Sequence, residues 1–155
     1  MNLGIILPSL EMSQLAYETI NTINQEIING SPHSYVIFFE ELSTVCVQPL
    51  CAVMNISEIW SFDGLLISTT LENTLASLKV TSNMRRAFLL WDCEWLRGRT
   101  NYLLNLSILR NPELLLIARS EDCAFELERY ANRRPNLIMP QLAFGPLADQ
   151  LNDQA

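Results

Sequence analysis

Apolar residues fall along this chain in two alternating patterns: short continuous runs bounded by Pro, Gly or polar residues, and longer stretches in which apolar positions recur every three or four residues. Residues 3–7 (LGIIL), closed by Pro8 and Ser9, form the first run and predict a strand buried on both faces, as in a parallel sheet. Leu15, Ala16, Thr19, Ile20, Ile23, Ile27 and Ile28 then recur at helical spacing, with Ser9 or Ser13 as N-cap and Asn29-Gly30 as the stop. Residues 35–39, aromatic and β-branched, predict a second strand that ends at Glu40 and Glu41. Residues 42–55 lack clean periodicity and are interrupted by Pro49, so they predict a loop packed through its apolar residues, followed by a short helix over 56–60.

The alternation then repeats. Residues 64–68 (GLLIS) predict a third strand, after which Thr69 or Thr70 caps a helix with Leu71, Leu75 and Leu78 as its apolar stripe. Residues 87–91 (AFLLW) are the fourth, leading into Asp92, Cys93, Glu94 and Trp95, and a helix over 101–109 is ended by Asn111-Pro112. Residues 113–118 (ELLLIA) are the fifth. Ser120 caps the next helix, whose first turn holds Glu121 and Asp122 and whose end holds Arg129, in accord with the helix dipole. Residues 137–139 are the sixth strand, and the remainder, with Pro140, Gly145 and Pro146, reads as a tail or short helix. Strands alternating with helices at this spacing require crossovers, which make parallel sheets with helices on both faces. The expected fold is α/β: a single three-layer Rossmann-like domain over 1–142 with a mostly parallel sheet of about six strands, and a C-terminal tail over 143–155.

Composition bounds the function. No apolar run approaches the roughly 20 residues that span a bilayer, and the apolar N-terminus lacks the basic region and cleavage site of a secretory signal. Cys46, Cys51, Cys93 and Cys123 form no CxxC pair, and His33 is the single histidine, so the usual zinc patterns are excluded. Reduced thiols and a cytoplasmic location are expected. A net charge of −7 argues against non-specific nucleic-acid binding and against anionic membranes. Its distribution is uneven: residues 1–78 hold eight carboxylates and no Lys or Arg, whereas all ten basic residues, nine of them arginine, lie between Lys79 and Arg134. Either the two halves pair charges across one surface, or the arginines bind an anionic ligand or acidic partner.

In an open parallel sheet ligands bind beyond the carboxyl ends of the strands, where the strand order reverses. With the order 3-2-1-4-5-6, Ser9 and Asp92 flank that crevice. The first βα turn, Pro8-Ser9-Leu10-Glu11-Met12, lacks the glycines that admit a pyrophosphate, and no GxxxxGK[ST] loop occurs, which excludes the usual dinucleotide and triphosphate sites. Asp92 and Glu94 are the candidate catalytic carboxylates, as a base or as holders of a divalent cation; their structural alternative is to cap a neighbouring segment or to pair with Arg97 and Arg99. Trp91 and Trp95 bracket them as candidates for a sugar or nucleotide pocket, with core packing as the alternative. Ser68, Thr69, Arg119 and Ser120 complete the candidate ligand-binding set. His33, in the turn before the second strand, points away from this edge and reads as an ordinary surface turn; no Ser-His-Asp or Cys-His arrangement includes it.

Three segments taken together, residues 62–70 (FDGLLISTT), 88–96 (FLLWDCEWL) and Leu115 to Asp122 with Asn132-Arg133-Arg134-Pro135, resemble Rossmann-like half-domains of GT-B glycosyltransferases, especially short glycosyltransferase-like proteins of tailed bacteriophages. The resemblance covers residues 1–142. It implies a nucleotide-sugar or glycan connection, a site on the carboxyl edge of the sheet, and the host cytoplasm as location if the chain is phage-encoded. GT-B enzymes close two such domains around donor and acceptor, and here one is expected. A homo-oligomer or a protein partner would supply the opposite wall, or the fold serves as a non-catalytic interaction or assembly protein.

Overall fold

The computed structural model describes residues 1–97 and 101–152. Seven parallel strands form one sheet in the order β3-β2-β1-β4-β5-β6-β7. They are β1 (Asn2–Ser9), β2 (Ser34–Glu41), β3 (Ala52–Asn55), β4 (Leu65–Ser68), β5 (Arg85–Leu90), β6 (Leu114–Ala118) and β7 (Leu137–Ile138). Five helices connect or follow them: α1 (Gln14–Ile28), α2 (Leu71–Leu78), α3 (Tyr102–Leu109), α4 (Glu121–Ala131) and α5 (Phe144–Asn152). The chain is a three-layer, Rossmann-like α/β domain. Side chains alternate between its two faces as the pleat requires. Leu3, Ile5 and Leu7 of β1 meet α1 and α5, whereas Ile6 faces Phe38, Ile59, Leu66 and Met84 on the other side. Phe88 and Leu90 of β5 pack against α2, α3 and α4, while Ala87 and Leu89 point to the α1 face.

Two glycines make the central strands possible. A Cβ on Gly4 would lie about 3 Å from Leu66, Phe38 and Phe62, so the edge-to-face pair Phe38–Phe62 fits over β1 only because that position is bare. Gly64 enters β4 at φ +139°, and a Cβ there would stand 2.3 Å from the Asn2 carbonyl oxygen.

The structure sharpens three expectations. Residues 42–55 are not all loop: Ala52–Asn55 pairs with β2 in the register Val36↔Ala52 to Phe39↔Asn55, so the sheet has seven strands where about six were expected. All four residues of β3 are exposed, so no buried apolar run marks it. Of the two readings of the C-terminal segment, tail or short helix, the structure has the helix, α5, whose Phe144, Leu147, Ala148 and Leu151 complete the α1-side core. Finally, the order 3-2-1-4-5-6 holds with the inserted edge strand counted, and this moves residues 64–68 from the sheet edge to the position beside β1.

The uneven charge has a local explanation. Arg133 donates to the carbonyls of Leu109, Asn111 and Leu114 at 2.9, 2.6 and 2.6 Å, closing the C-terminus of α3. Arg110 donates to Ala131, the last residue of α4, and Arg86 to Ser77 and Val80 at the end of α2 and to Met84 just before β5. Guanidinium groups at helix C-termini satisfy orphan carbonyls and oppose the dipole. Arg129 and Arg134 pair with Glu126 and Glu128 of the same helix. The arginines are therefore largely engaged within their own half, and no Lys or Arg pairs with a carboxylate of residues 1–78 among the described residues.

His33 lies at the amino edge of the sheet, as expected, but not on an open turn. Its side chain is 5% exposed, with Nε2 3.1 Å from Asp149 Oδ1 of α5 and without hydrogen-bond geometry. Beside it, Tyr35 and the Gly145 amide both donate to Glu26, tying β2 and α5 to α1.

Candidate functional site

The strand order reverses between β1 and β4, and a cleft of about 690 Å³ opens there at the carboxyl edge. Its walls come from the β1–α1 turn, the β4–α2 turn, the segment after β5 and the end of β6. The residue opposite Ser9 across the reversal is thus the end of β4, not Asp92 as expected, because residues 65–68 occupy the place beside β1. Asp92 follows β5, one strand further, and still lines the cleft.

Of the predicted site residues, Ser9, Thr69, Trp91, Asp92, Glu94, Arg97 and Arg119 line this cleft. Arg119 holds its guanidinium 4.6 Å from the Trp91 ring centroid and has no carboxylate partner among the described residues. Arg97 pairs with Asp92 at 3.1 Å, both side chains being substantially solvated. Arg99, the other cation considered for Asp92, lies outside the described residues.

Glu94 has a structural task. Its carboxylate accepts the Leu71 amide of the first turn of α2, 3.0 Å from Oε1 and 3.3 Å from Oε2, and so serves the helix end that Thr70 caps. Burial raises its pKa above the ordinary glutamate value, Asp92 and Glu72 add to this, and the Leu71 amide and Arg97 oppose it. Among the described residues no three His, Cys, Asp or Glu side chains are grouped to hold a metal ion.

Three predicted residues sit elsewhere. Trp95 is buried and stacks on Tyr130 of α4, ring centroids 4.6 Å apart, so it belongs to the core under α3 and α4 rather than to the cleft. Ser68 is buried, with its hydroxyl 2.6 Å from Thr74 Oγ1 and donating to the Ala87 carbonyl at 3.1 Å. Ser120 accepts from the Cys123 amide as N-cap of α4. Thr69, although in the cleft wall, donates to the Ile6 carbonyl at 2.7 Å and pins β4 to β1.

Sequence reasoning passed over the first turn of α1. Ser13 caps this helix by accepting from Ala16 N, and Ser13, Gln14, Leu15 and Ala16 line the cleft beside Ser9. The first turns of α2 and α4 contain their own carboxylates, Glu72, and Glu121 with Asp122; the first turn of α1 contains none. The residues of that turn line a cleft that also holds Arg119, and although the Ala16 amide is taken by Ser13, a helix N-terminus beside a guanidinium is an arrangement suited to an anion. The capping serine was visible in the sequence, but the absence of a glycine loop drew attention away from this turn.

The fold and cleft define a class, a Rossmann-like domain with one open crevice at its switch point. No protein-family model matches the chain, and no curated protein matches it.

Proposed function

We propose that this chain is a glycosyltransferase-like Rossmann domain that binds a nucleotide sugar or another phosphate-bearing ligand in the β1/β4 cleft. One observation carries the reading: the carboxylate-free first turn of α1 shares that cleft with Arg119, which has no carboxylate partner among the described residues. Phosphate takes the α1 amides and Arg119, since backbone dipoles and a guanidinium reinforce each other there. The rim around Trp91 and Asp92 takes the sugar or base, with Asp92 exchanging Arg97 for a ligand hydroxyl. Glu94 is the weaker candidate for chemistry, because its oxygens already accept the Leu71 amide.

The alternative is an interaction or assembly protein that presents its arginine-rich half. It has less support, since Arg85, Arg86, Arg110 and Arg133 donate to backbone carbonyls and Arg97, Arg129 and Arg134 to neighbouring carboxylates.

A thermal-shift series with UDP, GDP and CMP sugars tests the proposal, because a ligand that binds only the native state raises Tm by mass action. At least one nucleotide is expected to raise Tm in the wild type and not in Arg119→Ala. No rise at millimolar ligand, or an equal rise in the variant, contradicts the assignment.

A further inference from the structure

We propose that the open edge of β3 is a docking site for an extended, basic segment of a partner protein, which joins the sheet as a further strand. This surface is distinct from the cleft, and the inference does not rest on the nucleotide reading.

β3 bonds to β2 on one side only, and each of its residues, Ala52, Val53, Met54 and Asn55, is exposed. An edge strand presents unpaired N–H and C=O groups that template another strand, and folded proteins usually blunt such edges with Lys, Pro or a bulge. The sequence AVMN has none of these, its shortness being the one protection. Apolar side chains accompany the free backbone: Val53 and Met54 are 36% and 45% exposed, and Leu50 and Trp60 on either side are 55% and 67% exposed. Main-chain bonds with flanking apolar contacts are the components of strand addition.

Charge selects the occupant. Glu40 and Glu41 extend β2 past Phe39, the partner of Asn55, and Glu58 lies in the 3-10 turn that leaves β3. None of the three is ion-paired among the described residues, and no Lys or Arg occurs before residue 79. Burial, with the neighbouring Glu72 and Glu41, raises the Glu40 pKa, and its carboxylate faces Asn73 of α2, so the exposed Glu41 and Glu58 carry the charge offered to a partner. Glu40 and Glu41 repel one another there, and no cation of the first half of the chain offsets them. A segment carrying Lys or Arg among apolar residues relieves the repulsion.

The test titrates the full chain with a synthetic peptide of alternating Val and Lys, and with a control peptide in which Glu replaces Lys. Affinity is read by calorimetry and site by amide hydrogen exchange. The Lys peptide is expected to bind, to protect the amides of Ala52–Asn55, and to weaken with added salt. The pair Glu41→Lys and Glu58→Lys should lower its affinity about tenfold without lowering Tm. Equal binding of both peptides, no protection of β3, or a β3-mediated dimer without peptide overturns the proposal.

Discussion

Replacing Arg133 with Ala separates arginines that hold the fold from arginines free to meet a ligand. Arg133 is half-buried and its guanidinium reaches three carbonyls, those of Leu109, Asn111 and Leu114, at 2.6–2.9 Å. Burial lowers its pKa below the ordinary arginine value, yet it stays charged. A hydrogen bond to a charged group contributes about 1.5–3 kcal/mol when shielded, and less where water competes. Taking about 1 kcal/mol for each of three partly solvated bonds, Arg133→Ala should lose about 3 kcal/mol. At about 2–4 °C per kcal/mol for a domain of this size, Tm should fall by about 6–12 °C. Arg97→Ala is the comparison. Its pair with Asp92 is exposed, 71% and 42% for the two side chains, and surface pairs contribute about 0–1 kcal/mol. The assay is urea unfolding followed by circular dichroism, with a lower midpoint and an unchanged slope for Arg133→Ala. Equal losses in the two variants would refute the claim that the arginine-rich half is built for helix ends.

Two further perturbations probe the frame and the cleft. Phe144→Ala should cost about 3–5 kcal/mol, because Phe144 is fully buried between α1 and the sheet, and a variant that unfolds as the wild type does would show α5 to be peripheral. Glu94 has a pKa raised by burial, so its folded form holds a proton more tightly than its unfolded form and its stabilising contribution is complete below about pH 4.3 and lost as pH rises through the folded value. Glu94→Gln keeps an oxygen for the Leu71 amide and should therefore gain stability relative to wild type as pH rises above about 4.3; a difference that does not change with pH contradicts the placement.

Much of this frame was legible in the chain because strands buried on both faces read as unbroken apolar runs. LGIIL, LLIS and LLLIA each show that pattern, and of the caps read from the sequence, Ser9 or Ser13, Thr69 or Thr70, and Ser120, the structure uses Ser13, Thr70 and Ser120. β3 was hidden because an exposed edge strand has no apolar contrast, and α5 stayed open between tail and short helix because Gly145 and Pro146 in its first turn look like a break, although Pro is tolerated there. In the candidate site, residue type alone could not decide between ligand and scaffold. Trp91 and Trp95 are four residues apart, yet one lines the cleft and the other stacks on Tyr130. Asp92 and Glu94 both line the cleft, but only the fold shows that Asp92 pairs with Arg97 and that Glu94 faces the start of α2. The first turn of α1 was overlooked because its contribution is backbone amides, which carry no residue signature.

The most direct test of the account is a map of ligand contacts on the 15N-labelled chain during titration with UDP and GDP sugars. The cleft assignment predicts shifts at the amides of Ser9, Gln14, Leu15, Thr70 and Arg119 and at the Trp91 indole N–H, all groups of the cleft wall. Spectra unmoved at millimolar ligand, or shifts confined to residues away from that wall, would contradict it.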